Sequence, residues 1–235
     1  MAETILFVFE GERAEPRLFR LIQPHFFPKE KHPIIHLCFG GEIYQLLEQL
    51  RNDPYLDLVE LLKERDSGFN LSPKINRESI SQIFLFFDHD GHSSLANDED
   101  LASALELFNE ETEMGKLYIS YPMIESIRDV AEGFEERTVS LDALSSYKQE
   151  VNNRNSRLHL KKLNKKEWLD LFKQHLKKGN KLLHQNFEFT TSAPSQTELL
   201  LAQIETFFPQ EKIAVLSGIP FFIFEYFGTK LFTEE

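Results

Sequence analysis

Carboxylates follow two strand-like apolar runs in this sequence, and they are the side chains best suited to chemistry. Residues 83–87 (IFLFF) precede Asp88 and Asp90, and residues 4–9 (TILFVF) precede Glu10. Uninterrupted apolar runs of this length are typical of strands that are buried on both faces of a parallel sheet. Ligand-binding groups in such sheets lie beyond the carboxyl ends of the strands. We therefore expect these three carboxylates to face one crevice.

A divalent metal is the chemistry that such a group of carboxylates favours. Three converging carboxylates repel one another unless protons or a cation intervene, and hard divalent cations such as Mg²⁺ take oxygen ligands. An EF-hand is excluded by spacing, because its loop glycine follows three alternating ligands and Gly91 follows two. Zinc is disfavoured because His92 has no accompanying cluster of His and Cys. An aspartyl-phosphate mechanism stays open, although it gives Glu10 no role.

Each candidate residue also has a purely structural interpretation. An Asp after a strand is more often a turn or capping residue, and Glu15 can simply favour the start of a helix. Arg13 can pair with neighbouring carboxylates as readily as it can contact a phosphate. His89 and His92 are interpreted as solvated loop residues or as outer-shell donors rather than as metal ligands.

The elements that position these residues follow an alternating pattern of strands and helices over residues 1–131, which predicts an α/β fold with a mostly parallel sheet flanked by helices. The first helix is expected to stop at Pro24. Residues 132–235 are predicted to form a mainly helical extension that packs on this domain. In it, Asn164 begins a capping-box helix that is expected to end near residues 179–180.

Bulk composition indicates a globular protein of the cytoplasm. The 235 residues include 22 Phe, which predict an aromatic core, and a single cysteine, Cys38, which excludes an intrachain disulfide. No signal peptide is recognisable, and no apolar run approaches the ~20 residues of a spanning helix, so no membrane contact is expected. The apolar residues 213–232 are expected to pack on the core or, alternatively, to form a homodimer interface.

Charge is distributed unevenly along the chain. Residues 154–181 contain ten Lys or Arg and two acids, and this +8 segment leaves −20 for the rest of a chain whose net charge is −12. The overall charge argues against a generic nucleic-acid coat. The basic segment is either a solvated helix face or a phosphate-binding track, for which the candidates are Lys161, Lys165, Lys173 and Lys177, the last two sharing a helix face.

Three segments together resemble the signatures of RloB-like proteins of the Toprim superfamily. They are EGERAEP at residues 10–16, FDHD at 87–90 and SYPMIE at 120–125, and each follows a predicted strand. The superfamily also includes topoisomerases, bacterial primases and the OLD-type and AriB-type nucleases of phage defence. The match covers about residues 3–131. It departs from the family pattern at Ile124, where an aromatic residue is usual, and at Ala14, where many Toprim nucleases carry an acid.

The resemblance implies a Rossmann-like Toprim domain and a metal-dependent endonuclease that hydrolyses DNA or RNA, tRNA included, in phage defence. The cofactor it implies is Mg²⁺ or Mn²⁺, bound by the residues matching the family ligands, Glu10, Asp88 and Asp90, with Glu125 completing the acidic site. A separate ATPase partner is also implied. We expect second-shell or phosphate-contacting roles for four further residues, namely Glu15, Arg13, His92 and Lys116.

Two other functions remain open at this point. The chain can be a non-catalytic Toprim-fold sensor or subunit of a defence or restriction complex, whose acidic site is structural. It can also transfer nucleotides, as primase-type Toprim domains do. ATP hydrolysis by this chain is not expected, because the sequence has no Gly-rich phosphate loop.

Overall fold

The computed structural model describes residues 4–27, 33–53, 55–65, 75–89, 98–155 and 158–233. The predicted ligand Asp90 and the predicted outer-shell residue His92 lie outside the described residues. The strands are β1 (Thr4–Phe9), β2 (Ile34–Cys38), β3 (Ile80–Asp88), β4 (Asn109–Glu110), β5 (Gly115–Ser120), β6 (Thr138–Ser140) and β7 (Lys212–Ala214). The helices are α1 (Ala14–Phe26), α2 (Ile43–Asn52), α3 (Leu58–Arg65), α4 (Asp98–Leu107), α5 (Leu144–Arg154), α6 (Lys165–His184), α7 (Gln196–Ala202), α8 (Ile219–Phe227) and α9 (Lys230–Thr233).

The main sheet has five strands in the order β2-β1-β3-β5-β4. β1 pairs with β2 and with β3 in parallel, and the short β4 pairs with β5 in antiparallel fashion. With its flanking helices, this sheet confirms the predicted α/β fold with a mostly parallel sheet. β4 was not predicted, because two exposed residues carry no apolar pattern.

The central strands are buried on both faces, as their apolar runs predict. All five residues from Ile5 to Phe9, and likewise from Ile83 to Phe87, are at most 3% exposed. Phe7 contacts the rings of Phe19 and Phe86 at centroid distances of 5.0 and 5.7 Å. Each buried Phe contributes about 1.5–3 kcal/mol to folding, so aromatic packing fixes β1 against β3 and α1.

The chain forms two compact units, one of Met1–Phe87 and Leu95–Leu117 and the other of Asp88–Ser94 and Tyr118–Glu235. The boundary between the units crosses β3 and β5. The first unit contains β1, β2, β4 and α1 to α4. The second contains α5 to α9 and a two-stranded antiparallel sheet of β6 and β7. The division into domains at residue 131 stays a prediction.

The apolar C-terminal segment is internal to the second unit. Every residue from 213 to 224 is buried, and Tyr121 exchanges two backbone hydrogen bonds with Leu216 at 2.6 and 2.8 Å. The buried Gln203 side chain binds both the N–H and the carbonyl of Ala214. The most apolar helix, α8, is nine residues long. Among the described residues, no helix combines the length and the hydrophobicity needed to cross a membrane.

Two predicted helix ends are wrong. α1 continues past Pro24 to Phe26, so the proline lies inside its last turn. α6 begins at the predicted capping box of Asn164 and Glu167 but continues through Gly179 to His184. Gly179 lies inside α6 rather than at its end, and its missing side chain leaves space for the ring of Phe221. A Cβ atom there would lie 2.7 Å from Cζ of Phe221.

Gly179→Ala is therefore expected to destabilise the protein, although the same change at an unconstrained helix position stabilises by ~1 kcal/mol. The added methyl meets an aromatic ring, so we expect the free energy of unfolding to fall by about 1–3 kcal/mol. Chemical denaturation measures the change. In a Phe221→Leu background the loss should shrink, because the smaller side chain leaves room for the methyl. A stabilising effect of Gly179→Ala in the wild-type background would contradict the packing role.

Candidate functional site

Glu10 follows β1 and its backbone is held by both neighbouring strands. Its N–H donates to the carbonyl of Phe86 at 3.1 Å, and its carbonyl accepts from the N–H of Gly40 at 3.1 Å. The Cys38 thiol also donates to the Glu10 carbonyl, at 3.3 Å. The main chain of the half-buried Glu10 is therefore held between β3 and the residues that follow β2, at the carboxyl edge of the sheet.

Gly11, the residue that follows Glu10, leaves space for a second carboxylate. Glu15, in the first turn of α1, is only 5% exposed. A Cβ atom at Gly11 would lie 3.0 Å from one carboxylate oxygen of Glu15, so a glycine is what lets that carboxylate fold back over the chain. Glu12 and Arg13, by contrast, are exposed. Of the acids near the start of α1, Glu15 is therefore the one directed toward the segment that carries Glu10.

Asp88 is the last residue of β3 and is half-buried. The following residue, His89, is not the solvated loop residue that the sequence suggested. It is 6% exposed, its N–H donates to the carbonyl of Ser120 at 2.9 Å, and its ring lies 5.4 and 4.9 Å from those of Tyr121 and Phe208. His89 thus fixes the chain just beyond Asp88 by packing.

Glu125 lies in the short 3₁₀ helix Ile124–Arg128 that follows β5. Its carboxylate is largely buried and forms an ion pair with Lys148 of α5 at 2.9 Å, while the lysine itself is 65% exposed. The pair places an exposed surface cation directly on a predicted acidic residue.

Four residues beyond Glu125, Asp129 forms the centre of a buried polar network. The Asp129 side chain is fully buried. Its carboxylate accepts from Arg137 Nε at 3.0 Å, from the Tyr147 hydroxyl at 3.2 Å and from Asn155 at 3.3 Å. Burial, reinforced by the charge of Asp129, raises the pKa of Tyr147 far above its usual value, so this hydroxyl stays a donor. The network anchors the C-terminal end of the turn that carries Glu125.

His175 of α6 anchors the same turn from another side. The fully buried ring contacts the carbonyl of Ile127 through Nε2 at 3.2 Å and accepts from the N–H of Ser217 through Nδ1 at 3.2 Å. These two contacts require the neutral ring protonated on Nε2. Burial lowers the pKa of His175 to about 3, so the ring stays neutral. Three residues on, Lys178 is also buried and donates to the carbonyls of Phe134 and Arg137.

The sequence interpretation missed these residues, although it contained a signal for them. The sequence of α6 carries an apolar stripe at helical spacing, formed by Trp168, Leu171, Phe172 and Leu176. Positions 175 and 178 lie seven residues after Trp168 and Leu171 and so fall on the same stripe. A polar residue at a stripe position is a candidate for a buried, hydrogen-bonded group.

The remaining predicted residues lie in several places. Lys116 is the second residue of β5 and is half-buried. In the basic segment, Lys161 and Lys165 are exposed, whereas Lys173 and Lys177 are half-buried. Their nucleic-acid roles stay predictions.

Metal ligation also stays a prediction. Among the described residues, no group of three or more His, Cys, Asp or Glu has the geometry to hold a metal ion. Asp90 lies outside the described residues. The ligand chemistry nevertheless suits a hard cation, because the predicted ligands Glu10 and Asp88 offer only carboxylate oxygens, and Gly11 provides a space that Glu15 fills.

Comparisons of the chain with protein-family models, with curated proteins and with solved structures found no match. The resemblance to RloB-like proteins therefore rests on the three motifs and their order along the chain.

Removing the charge of Asp129 tests the buried network. In Asp129→Asn, Arg137 loses its buried partner, and we expect the free energy of unfolding to fall by about 3 kcal/mol or more. The matched control is Glu150→Gln, because Glu150 pairs with the same Arg137 but is 41% exposed. Its expected cost is below about 1 kcal/mol. Denaturant titration of both variants measures the two losses in the free energy of unfolding. Equal losses would contradict a central role for Asp129.

The buried His175 predicts a loss of stability in acid. In the unfolded chain His175 is protonated below about pH 6.5. In the folded protein its pKa is about 3, so the ring stays neutral until the pH falls that far. The free energy of unfolding should therefore fall by about 1.4 kcal/mol per pH unit as the pH drops below 6.5. His175→Gln should remove this contribution, and the exposed-residue control His159→Gln should keep it. Parallel pH profiles of wild type and His175→Gln would refute the assignment.

Proposed function

We propose that this protein is a Mg²⁺- or Mn²⁺-dependent nuclease of the Toprim type that hydrolyses phosphodiesters of nucleic acid. One observation carries the proposal. Glu10 and Asp88 belong to the carboxyl ends of β1 and β3, which are neighbouring parallel strands whose register runs to the pair Phe9 and Phe86. The carboxyl edge of a parallel sheet is where such folds bind ligands.

The proposed ligands are Glu10, Asp88 and Asp90, with Glu125 completing the acidic group. A bound cation would polarise the scissile phosphate, activate a water and stabilise the leaving oxygen. The chain's own contribution is to hold the carboxylates in place. The main chain of Glu10 is fixed by its hydrogen bonds to Phe86 and Gly40, and the turn of Glu125 is fixed by the anchors at Asp129 and His175.

Two further side chains have proposed supporting roles. Glu15, buried over Gly11, adds negative charge beside Glu10 and can accept the proton of an attacking water. Lys148 neutralises Glu125 in the protein without substrate. Because most of the lysine side chain is exposed, its ammonium group can turn from Glu125 to a phosphate oxygen of the substrate.

A second candidate function is a non-catalytic sensor or subunit of a phage-defence or restriction complex that works beside a separate ATPase. The ion pair of Glu125 with Lys148 favours it, because a carboxylate already neutralised by a lysine has less need of a metal. Calorimetric titration with Mg²⁺ and Mn²⁺ separates the two functions. Carboxylate-dependent binding supports the nuclease, and its absence supports the sensor.

Cleavage assays on single-stranded and duplex DNA, RNA and tRNA test the nuclease directly. We expect cleavage that requires Mg²⁺ or Mn²⁺ and that falls by about 100-fold or more in Glu10→Gln and in Asp88→Asn, since even outer-shell changes at metal sites cost 10–100-fold. Glu12→Gln is the matched control, because Glu12 is an exposed carboxylate two residues from Glu10. Activity that survives Asp88→Asn, or that the control loses equally, would refute the proposal.

A further inference from the structure

The fold neutralises only part of the basic segment at residues 154–181. Arg154 lies 3.5 Å from Asp129, and Lys181 pairs with Glu136. Lys178 is buried, and residue 157 lies outside the described residues. Six lysines of the segment remain exposed or half-buried at the surface: Lys161, Lys162, Lys165, Lys166, Lys173 and Lys177.

Five of these six lysines have no acidic partner among the described residues. In the part of the chain that the structure describes, no carboxylate lies within ion-pairing distance of Lys161, Lys162, Lys166, Lys173 or Lys177. In a chain with a net charge of −12, carboxylates are plentiful. A group of unneutralised lysines therefore forms a local positive surface on an acidic protein.

Three of the lysines form a line along α6, which we call the lysine stripe: Lys166, Lys173 and Lys177. At 3.6 residues per turn they fall within an arc of about 40° on the helix, separated by about 10 and 6 Å along its axis. Asp170 lies on the same side of the helix and interrupts the stripe. A linear set of cations matches a linear set of phosphates better than it matches a compact anion.

Two aromatic rings lie beside the lysine stripe. Nζ of Lys177 is 5.9 Å from the centroid of the Phe187 ring, and Nζ of Lys173 is 6.0 Å from that of Phe189. Phe189 also packs on Phe224 and Phe232. Among the described residues, the half-buried ring of Phe187 has Lys177 as its cation–π partner.

We infer that the lysine stripe and Phe187 form a binding surface for single-stranded nucleic acid. Single-strand binding combines cations that follow the phosphate backbone with aromatic side chains on which bases stack. A duplex offers the same phosphates but keeps its base faces stacked inside, so the aromatic ring distinguishes the two ligands. The inference deepens the proposed function by naming its substrate class, and it rests on that function only for the cleavage step.

Binding is measured by fluorescence anisotropy with labelled 20-nucleotide single strands of DNA and RNA and with the matching duplex. The 235-residue chain is used in EDTA, so that binding is read without cleavage. We expect the single strands to bind more tightly than the duplex. Lys173→Glu/Lys177→Glu should weaken binding by tenfold or more at low salt, and should lower the slope of log Kd against log salt by about 1.4.

Three further variants sharpen the test. Phe187→Ala should weaken single-strand binding about tenfold and leave duplex binding unchanged. Asp170→Asn should strengthen binding, since it removes the interrupting charge. The charge-matched control is Lys212→Glu/Arg20→Glu, which reverses two exposed cations outside the stripe and should bind nearly as well as wild type.

Three outcomes would overturn the inference: no binding by the wild type at low salt, equal weakening in the stripe variant and its control, or a Phe187→Ala variant that keeps full single-strand affinity. A failure of this inference can be distinguished from a failure of the proposed nuclease function. Stripe-dependent binding without cleavage in Mg²⁺ or Mn²⁺ counts against the nuclease alone. Cleavage that the stripe variants leave intact, together with unchanged binding, counts against the lysine stripe alone.

Discussion

Burial of β1 and β3 on both faces is the constraint on which the rest of this structure depends. The interiors of both strands are apolar, so a charged side chain can stand only where each strand ends. Glu10 and Asp88 occupy those ends. Parallel pairing then brings the two ends to one edge of the sheet, and backbone hydrogen bonds on both sides of Glu10 fix its main chain. The same aromatic packing that stabilises the sheet therefore determines where its carboxylates project.

In the second unit, buried polar groups hold the turn that carries Glu125. A 3₁₀ turn has few hydrogen bonds of its own, and the turn that carries Glu125 is fixed instead by Asp129 at its end and by His175 at the Ile127 carbonyl. Burying an ion pair and a neutral histidine adds little net stability compared with apolar packing. What such groups supply is a single allowed arrangement, because each has one set of partners that satisfies it.

The sequence predicted the features that depend on local pattern. β1 and β3 follow from their apolar runs, and the capping box at Asn164 marks the start of α6. The features it missed depend on distant neighbours. Gly179 belongs inside α6 because of Phe221, forty-two residues away. The partners of Asp129 on α5 and of Lys178 at the Phe134 and Arg137 carbonyls are likewise set by tertiary packing. In the candidate site, the placement of Glu10 and Asp88 at strand ends could be predicted from local pattern, whereas Asp129 and His175, which anchor the turn of Glu125, could not.

The most direct test of the account is a crystal structure of the protein soaked in Mn²⁺, with anomalous diffraction recorded to locate the metal. A manganese peak is expected at the carboxyl edge of the sheet, with carboxylate oxygens of Glu10 and Asp88 as its ligands. The peak should disappear in crystals of Asp88→Asn. A fully soaked crystal with no anomalous density at that edge, or with manganese bound only elsewhere, would contradict the central claim.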